Sequence, residues 1–547
     1  MHRRFAAVLV LATFLSLAAC DEQASVSTSS QTASGMQLLN QNWDDRQREA
    51  AWYTSFGSRI IPLSWFLALE DADSELRFSR TDNLQRFGFA TAGTSPANPY
   101  GLPIGVTVTP VHQGRRWVGL GCSGCHSGQV YYRGETLHID GDQALIDFQL
   151  FEGELVSALQ ATLADDDKFR RFADALNRAP ADSGSGVDLK QVLEAETKRL
   201  NDLATLNKTS VAYGRGRLDA FGQIFNAVAA DFLGIPGNRR EPDAPTSYPM
   251  LWGASHLDLV QWNGSAPNDG PGPLVQNATT ALAVFGELDI HSSGIGYHSS
   301  VEIENLGLIQ DLWYRLDAPA WPEQTLGAID RPLAERGSRI YQAQCVSCHQ
   351  LAQEHDGKRE LKATLVPVDT VGTDPTMARN FTHAKAESGA FEGEKLLFFM
   401  GPKLEANTYT INLVVHAAFG ALLEHPWRSF KAGLYSLHKV LSAPLHERPY
   451  TYKARPLSGI WASAPYLHNG SVPTLAGMLS TQRPSRFPVG KVEYDPQRVG
   501  LSDKVLDATQ VSDFDTQAPG NANGGHRYGT ELAEEDKRAL IEYLKTL

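Results

Sequence analysis

A mainly α fold in two halves is what this sequence predicts, and three observations predict it. Each half carries one copy of the same five-residue pattern, Cys122-Ser123-Gly124-Cys125-His126 and Cys345-Val346-Ser347-Cys348-His349. Between them lie long runs with apolar residues at helical spacing, such as Leu155 to Leu176 and Val187 to Leu206. The chain closes on Glu531 to Leu547, a further amphipathic helix. Its 547 residues suffice for two or three domains and a sizeable core. A hydrophobic content of 42% and a charged content of 20% are ordinary for a globular protein.

The repeated pattern, C-x-x-C-H, is the attachment signal of a c-type haem. Two thiols two residues apart can each form a thioether to one porphyrin vinyl group, and the histidine that follows becomes the proximal iron ligand. Two copies use four of only five cysteines. A zinc site would need its second ligand pair from the distant copy, which makes it the weaker reading. The sequence therefore predicts two covalent haems, one on Cys122, Cys125 and His126 and one on Cys345, Cys348 and His349. Each half then reads as a cytochrome c-like domain, the first with a helical insertion.

Taken in order, residues 1–20 are a targeting segment. Arg3 and Arg4 give a positive start, Phe5 to Leu17 an apolar run too short for a convincing transmembrane helix, and Leu17-Ala18-Ala19-Cys20 a lipobox. Cys20 becomes the lipidated first residue on this reading. Ordinary signal-peptide cleavage is the alternative, and would leave the protein secreted. Both place it in the periplasm or cell envelope. Residues 21–42 are Ser-, Thr-, Gln- and Ala-rich and read as a flexible tether. Residues 43–325 form the first haem domain, with the helical insertion at about 150–245. In it, Val130 to Glu135 reads as a hairpin, and Ile139 to Asp142 as a turn capping a helix from Leu145 to Phe151. Proline-rich Leu316 to Pro332 reads as a linker, and residues 326–547 as the second domain. There, Leu333 to Gln344 is a helix delivering the second motif. Leu413 to Leu441 is strongly apolar, either a buried helical pair or a channel lining.

The chain has 49 basic and 62 acidic residues, a net charge of -13. That argues against nucleic acid or an anionic membrane surface as partner and is compatible with a small basic redox protein. Membrane contact is expected through the N-terminal lipid alone.

Two further stretches raise a family. Tyr452 to Leu475 contains K-A-R-P-L-S-G-I-W-A-S-A-P-Y-L-H-N-G-S-V-P, and Val260 to Ser265 reads V-Q-W-N-G-S. The longer stretch resembles the A-P-Y-x-H-[DN]-G-S block of the bacterial di-haem cytochrome c peroxidase superfamily, and the shorter is similar to that family's F-W-D-G-R. The wording of the longer block is most similar to the branch of the di-haem rubber oxygenases, which use dioxygen. The resemblance spans most of residues 110–547 and leaves out about 150–245.

Carried over by position, the resemblance implies that Trp262 lies between the two haems and helps electrons pass. It implies that Ser463 and Pro465 offer oxygens to a calcium ion, and that His468 is a group near the second haem. The family's sixth ligand to the second haem is a methionine. Here the corresponding stretch is Gly524-Gly525-His526-Arg527-Tyr528-Gly529, so His526 is expected in that role, after an insertion from about Arg483 to Asn523. Peroxidases carry a glutamate on the distal side of the first haem. The corresponding Pro273 to Gly286 holds no acid before Glu287, and Phe285 is expected to line an apolar pocket. Such a pocket suits dioxygen beside an apolar, isoprenoid-like substrate. Peroxide reduction is the alternative enzyme, and a non-catalytic electron carrier the third reading. Lys453 and Arg455 pair with haem propionates or are solvated. The remaining histidines, such as His112, His138, His256, His291 and His298, read as surface or satisfied core groups.

Overall fold

In a computed structural model, residues 30–31, 35–112, 114–178, 188–351, 353–355, 358–433 and 450–547 are described. The expectation of a mainly α chain is overturned, because helix accounts for 40% and strand for 18%, the strands forming several small sheets. Much of the strand comes from residues that the sequence leaves unassigned, above all Arg483 to Asn523.

The largest sheet shows how this happens. Its strands are β1 (Ser30–Gln31), β2 (Gln37–Leu38), β3 (Ser127–Tyr132), β4 (Glu135–Asp140), β5 (Val492–Asp495) and β6 (Gly500–Val505), in the spatial order β1-β2-β4-β3-β5-β6. The hairpin β3–β4 is the one expected after the first motif. Strand β5 joins it in parallel through Glu493 and Tyr131. Parallel pairing needs a long connection, here most of the chain, so no local signal announces it. On the other side β2 pairs in parallel with β4. Residues 36–41, expected at the end of a tether, are thus packed: Met36, Leu38, Leu39 and Gln41 are buried. Cys20 and most of the expected tether lie outside the described residues, as do Leu434 to Leu441.

Ile139 and Asp140 belong to β4 rather than to a capping turn. The cap is Asp147, whose carboxylate accepts from Leu150 N at 3.1 Å. It starts an apolar helix over Phe148–Ala164. The expected run to Leu176 is broken at Asp165, whose side chain accepts from the backbone of Asp167 and Lys168 and opens a second helix, Asp166–Arg178. Asp188 caps the next, Leu189–Leu206. In the second half, Asp330 caps Arg331–Gln344, which runs straight into Cys345. That helix crosses the closing helix, Glu534–Leu544, backbone to backbone. A Cβ at Gly337 would lie 2.0 Å from the carbonyl oxygen of Ala539, so only glycine fits the crossing.

One hydrophobic core runs through both halves, with Leu137 and Ile139 of β4 in the same cluster as Trp313, Tyr341, Trp461 and Leu540. Trp321 and Leu326, inside the expected linker, are buried in it too. The apolar helix Thr410–Leu423 packs against Gly272–Ala283 and is buried along most of its length. No helix among the described residues is long and apolar enough to cross a membrane.

A buried charged network fixes the first motif's sheet. The Asp140 carboxylate accepts from Trp52 Nε1 at 2.7 Å, Arg48 Nε at 2.7 Å and the His138 ring at 3.2 Å. Burial alone would raise its pKa, but His138 and Arg48 more than offset that and hold it at about 2. Asp140→Asn should therefore lower the unfolding free energy by about 3 kcal/mol or more, because it leaves the buried Arg48 with only the exposed Asp45 as a charge partner. The folded pKa lies below the unfolded value, so the contribution is complete above about pH 4 and fades as pH falls toward the folded pKa. Urea unfolding of both proteins at neutral and acid pH tests this; equal midpoints at neutral pH would refute it.

Candidate functional site

The first motif is a single helical turn, Cys122–Cys125, with His126 N donating to Cys122 O at 3.0 Å. Ser123 Oγ ties it to the carbonyl of Ala51 at 2.9 Å. From the other side the loop at Gly105 presses so close that a Cβ there would sit 1.8 Å from Gly124 N. The turn is thus clamped between two segments, and its side chains open into a cavity of about 650 Å³.

Cys122, Cys125 and His126 line that cavity, together with Trp262 and Phe285. The walls are mostly apolar, from Phe56, Phe148, Leu203, Ile224 and the helix Gly272–Ala283. A six-residue π-helix, Ala227–Phe232, contributes Ala227, Asp231 and Phe232. Phe285 has a left-handed backbone, φ +55°, and its ring is 6.0 Å from that of Phe148. Burial pushes the thiols of Cys122 and Cys125 up to about 11 and about 12, and the His126 imidazole down to about 4. His126 is therefore neutral, as an iron ligand must be. Its Nδ1 has no hydrogen-bond partner of good geometry; the Pro249 carbonyl raises its pKa only partly against burial. None of the four motif cysteines is in a disulfide.

At the second motif His349 N donates to Cys345 O at 2.9 Å, and Tyr341 Oη donates to the His349 carbonyl at 2.5 Å. His349 Nδ1 lies 2.7 Å from the Arg455 carbonyl. A carbonyl can only accept, so Nδ1 carries the proton and Nε2 keeps its lone pair. The His526 ring stands 6.0 Å from the His349 ring, centroid to centroid. Burial, then His349, pushes His526 down to about 4, and burial lowers His349 too, so two neutral imidazoles meet. His526 has φ +44°, and its N–H donates to Val371 O at 2.7 Å. Arg483 holds the loop, donating to the carbonyls of Asn523 at 2.5 Å, Gly525 at 3.0 Å and His526 at 3.1 Å.

His468 is placed differently. It is buried, stacks on Tyr452 with ring centroids 4.0 Å apart, and is pushed down to about 4 by burial. Trp262 Nε1 donates to Ser247 O at 2.9 Å, and its carbonyl accepts from Lys453 N at 2.7 Å. Two residues on, Arg455 offers its carbonyl to His349, so Trp262 links the cavity wall to the second motif. Arg455 is buried and Lys453 half-buried. Burial lowers them to about 7 and about 10, and Arg455 Nε has no partner. Ser463 Oγ and the Asp142 carboxylate are 2.6 Å apart, and Gln143 Nε2 donates to Pro465 O at 3.4 Å. Burial pushes the Asp142 carboxyl up to about 7. Among the other histidines, His138 is held by Asp140, His256 by the Tyr314 carbonyl and His298 by Glu424.

Sequence reasoning missed three groups. Glu152 lines the cavity, and burial pushes it up to about 7. Its signal was an acid one turn after Phe148 on an apolar helix. Arg483 and Asp142 had no local signal, because each acts on residues distant in the chain.

Residues 451–488 match the family described as RoxA-like, cytochrome c-like. Only this one segment does so, in the C-terminal half, which corrects the expectation of two cytochrome c-like domains. A cytochrome c-like segment of this type implies covalent haem c and a haem-dependent oxidoreductase. Two proteins of Sinorhizobium fredii (strain NBRC 101917 / NGR234), both uncharacterised, are similar in sequence. One, y4iM, is 27% identical over 336 residues, 56% of this chain and 67% of its own length. The other, y4iJ, is 31% identical over 568 aligned positions, 93% of each chain. The chain belongs to the same family as y4iJ and carries within it the cytochrome c-like segment of the rubber oxygenase-like proteins.

Proposed function

We propose that this chain is an exported di-haem c-type oxidoreductase that oxidises an apolar, isoprenoid-like substrate with dioxygen at the haem on Cys122, Cys125 and His126. The observation that carries this reading is the cavity of about 650 Å³ opening onto both thiols and the imidazole, with mostly apolar walls. Its size falls in the range of small-molecule sites. The haem, when bound, supplies the iron's oxygen and electron-transfer chemistry. The chain does the rest. His126 is the proximal ligand, kept neutral by burial. Phe148, Phe285, Leu203 and Ile224 exclude water and hold an alkene by apolar contact.

A second haem would be held by Cys345, Cys348, His349 and His526, whose two imidazole rings stand 6.0 Å apart, and would supply electron-transfer chemistry. Bis-histidine ligation gives a lower potential than His/Met, suited to feeding electrons inward through Trp262. The buried Arg455 and half-buried Lys453 neutralise propionates. A calcium ion at Ser463 and Pro465 would take Asp142 as a third oxygen donor. Lipidation at Cys20 holds the protein at the cell envelope, where a small basic redox protein suits the charge of -13. Glu152 favours one second reading, peroxide reduction, because O–O cleavage needs an acid in the pocket.

Aerobic and anaerobic spectra, followed by oxygen uptake with isoprenoids, test the proposal. A high-spin or dioxygen-bound haem with substrate-dependent uptake is expected. Two low-spin haems and no uptake would sink it, and peroxide turnover in their place would establish the second reading. Trp262→Phe should slow electron exchange between the haems without unfolding the protein. Unchanged exchange kinetics would remove Trp262 from the route.

A further inference from the structure

Glu152 has no assigned work, yet its position is unusual. It follows Phe148 by one turn of the helix Phe148–Ala164, and both side chains line the cavity. The contact of Phe148 with Phe285 brings this helix face to the end of Gly272–Ala283. Burial alone raises the Glu152 carboxyl, with no compensating partner among the described residues. Asn207 and Gln276 also line this space, and Asn207 Oδ1 and Gln276 Oε1 are buried without hydrogen-bond partners. A mostly apolar cavity thus has in its wall an acid that burial pushes up to about 7.

We propose that Glu152 is the proton-exchanging residue of this cavity, taking the proton that a weakly acidic ligand releases on binding the iron and returning it when the ligand leaves. This rests on the reading that the haem on His126 occupies the cavity. For hydrogen cyanide, the H–C bond breaks, the proton goes to the Glu152 carboxylate and the carbon binds ferric iron. No electrons are gained or lost and no co-reactant is needed. The carboxylate is the active form, so association accelerates as the pH rises through about 7, the value to which burial pushes Glu152.

Of the other titratable groups that line the cavity, Asp311 is paired with Arg315 at 2.9 Å, and Tyr248 and Tyr314 are phenols. Asp231, on the π-helix, lines the cavity and is also raised by burial, then by Asp202, with Arg199 opposing. Tyr213 feels the charge of Glu152, but its hydroxyl donates to Pro242 O at 2.7 Å and burial pushes it out of reach of neutral pH. His126 is committed to the iron. Glu302 is raised to about 7 as well, but it is bonded to Ser55 and Asn305 and is not among the cavity's lining residues.

Stopped-flow cyanide binding to the ferric holoprotein, from about pH 5 to about pH 9, tests this. Wild type should show an inflection near neutrality. Glu152→Gln should bind at least about tenfold more slowly, with no inflection. Asp231→Asn and Glu302→Gln should keep the wild-type profile. On cyanide binding above neutrality, the infrared difference band of a carboxyl gaining a proton should appear in wild type, Asp231→Asn and Glu302→Gln and be absent in Glu152→Gln. An inflection that survives in Glu152→Gln, or that disappears in Asp231→Asn instead, overturns the assignment. So does a wild-type profile that is flat, which requires no variant to fold. Haem content separates the two levels: a protein loaded at Cys122 and Cys125 whose profile ignores Glu152 sinks this inference only. One that carries no haem there sinks the functional reading with it.

Discussion

If the protein carries the two haems proposed above, His526→Ala should convert the haem on His349 from low to high spin while both stay covalently attached. The thioethers form at Cys345 and Cys348, far in sequence from the loop at Gly524 to Gly529, so attachment does not depend on it. The iron's second imidazole does. His526 stands 6.0 Å from His349, ring to ring, and burial keeps both neutral. Its left-handed backbone is an unfavourable conformation for a non-glycine residue, and three carbonyl bonds from Arg483 hold it there. Alanine offers no ligand, and no other histidine ring stacks on or faces His349 among the described residues. Optical and EPR spectra read the change. His526→Met should restore a low-spin haem at a raised potential, since thioether sulfur favours ferrous iron. If the alanine variant keeps the wild-type low-spin spectrum, His526 is not the ligand and His468 becomes the candidate, despite its stacking on Tyr452.

Cys122→Ala with Cys125→Ala should halve the haem content and strongly destabilise the chain. An apolar cavity left dry costs about 24 cal/mol per Å³. For about 650 Å³ that is on the order of 15 kcal/mol, as large as the whole stability of an ordinary domain. Water entering the cavity recovers part of this, but the walls offer it few partners. The expected result is one haem per chain by pyridine haemochrome, with faster proteolysis of the chain as a whole, because one core runs through both halves. A double variant that still carries two haems, or resists protease as wild type does, would show that the group does not hold this cavity open.

The two predictions differ in how much of them a sequence reader could see. Both C-x-x-C-H turns, the hairpin β3–β4, the helix delivering Cys345 and the closing helix were legible. Each depends on residues within about one or two turns of one another, so spacing and periodicity suffice. Trp262 and Phe285 were legible only through resemblance, and both line the cavity. The mixed α and β character was not legible. The insertion beginning at Arg483 read as spacing between two blocks, whereas Val492–Asp495 extends the first motif's hairpin as a parallel neighbour. Strands this short take their identity from a distant partner rather than from their own propensity.

The sequence by itself carried the signal for the proposed chemistry: four thiols and two histidines at the spacing of c-type haem attachment. Thioether geometry is a local matter of a few bonds, and five consecutive residues state it in full. Only the tertiary structure decided what surrounds those turns. It brought Glu152 into a cavity whose walls are mostly apolar, set Arg483 under the His526 loop, and put Asp142 beside Ser463. Those placements join residues tens to hundreds of positions apart. They are fixed by burial and by the hydrogen bonds that buried groups must find, which no local pattern records.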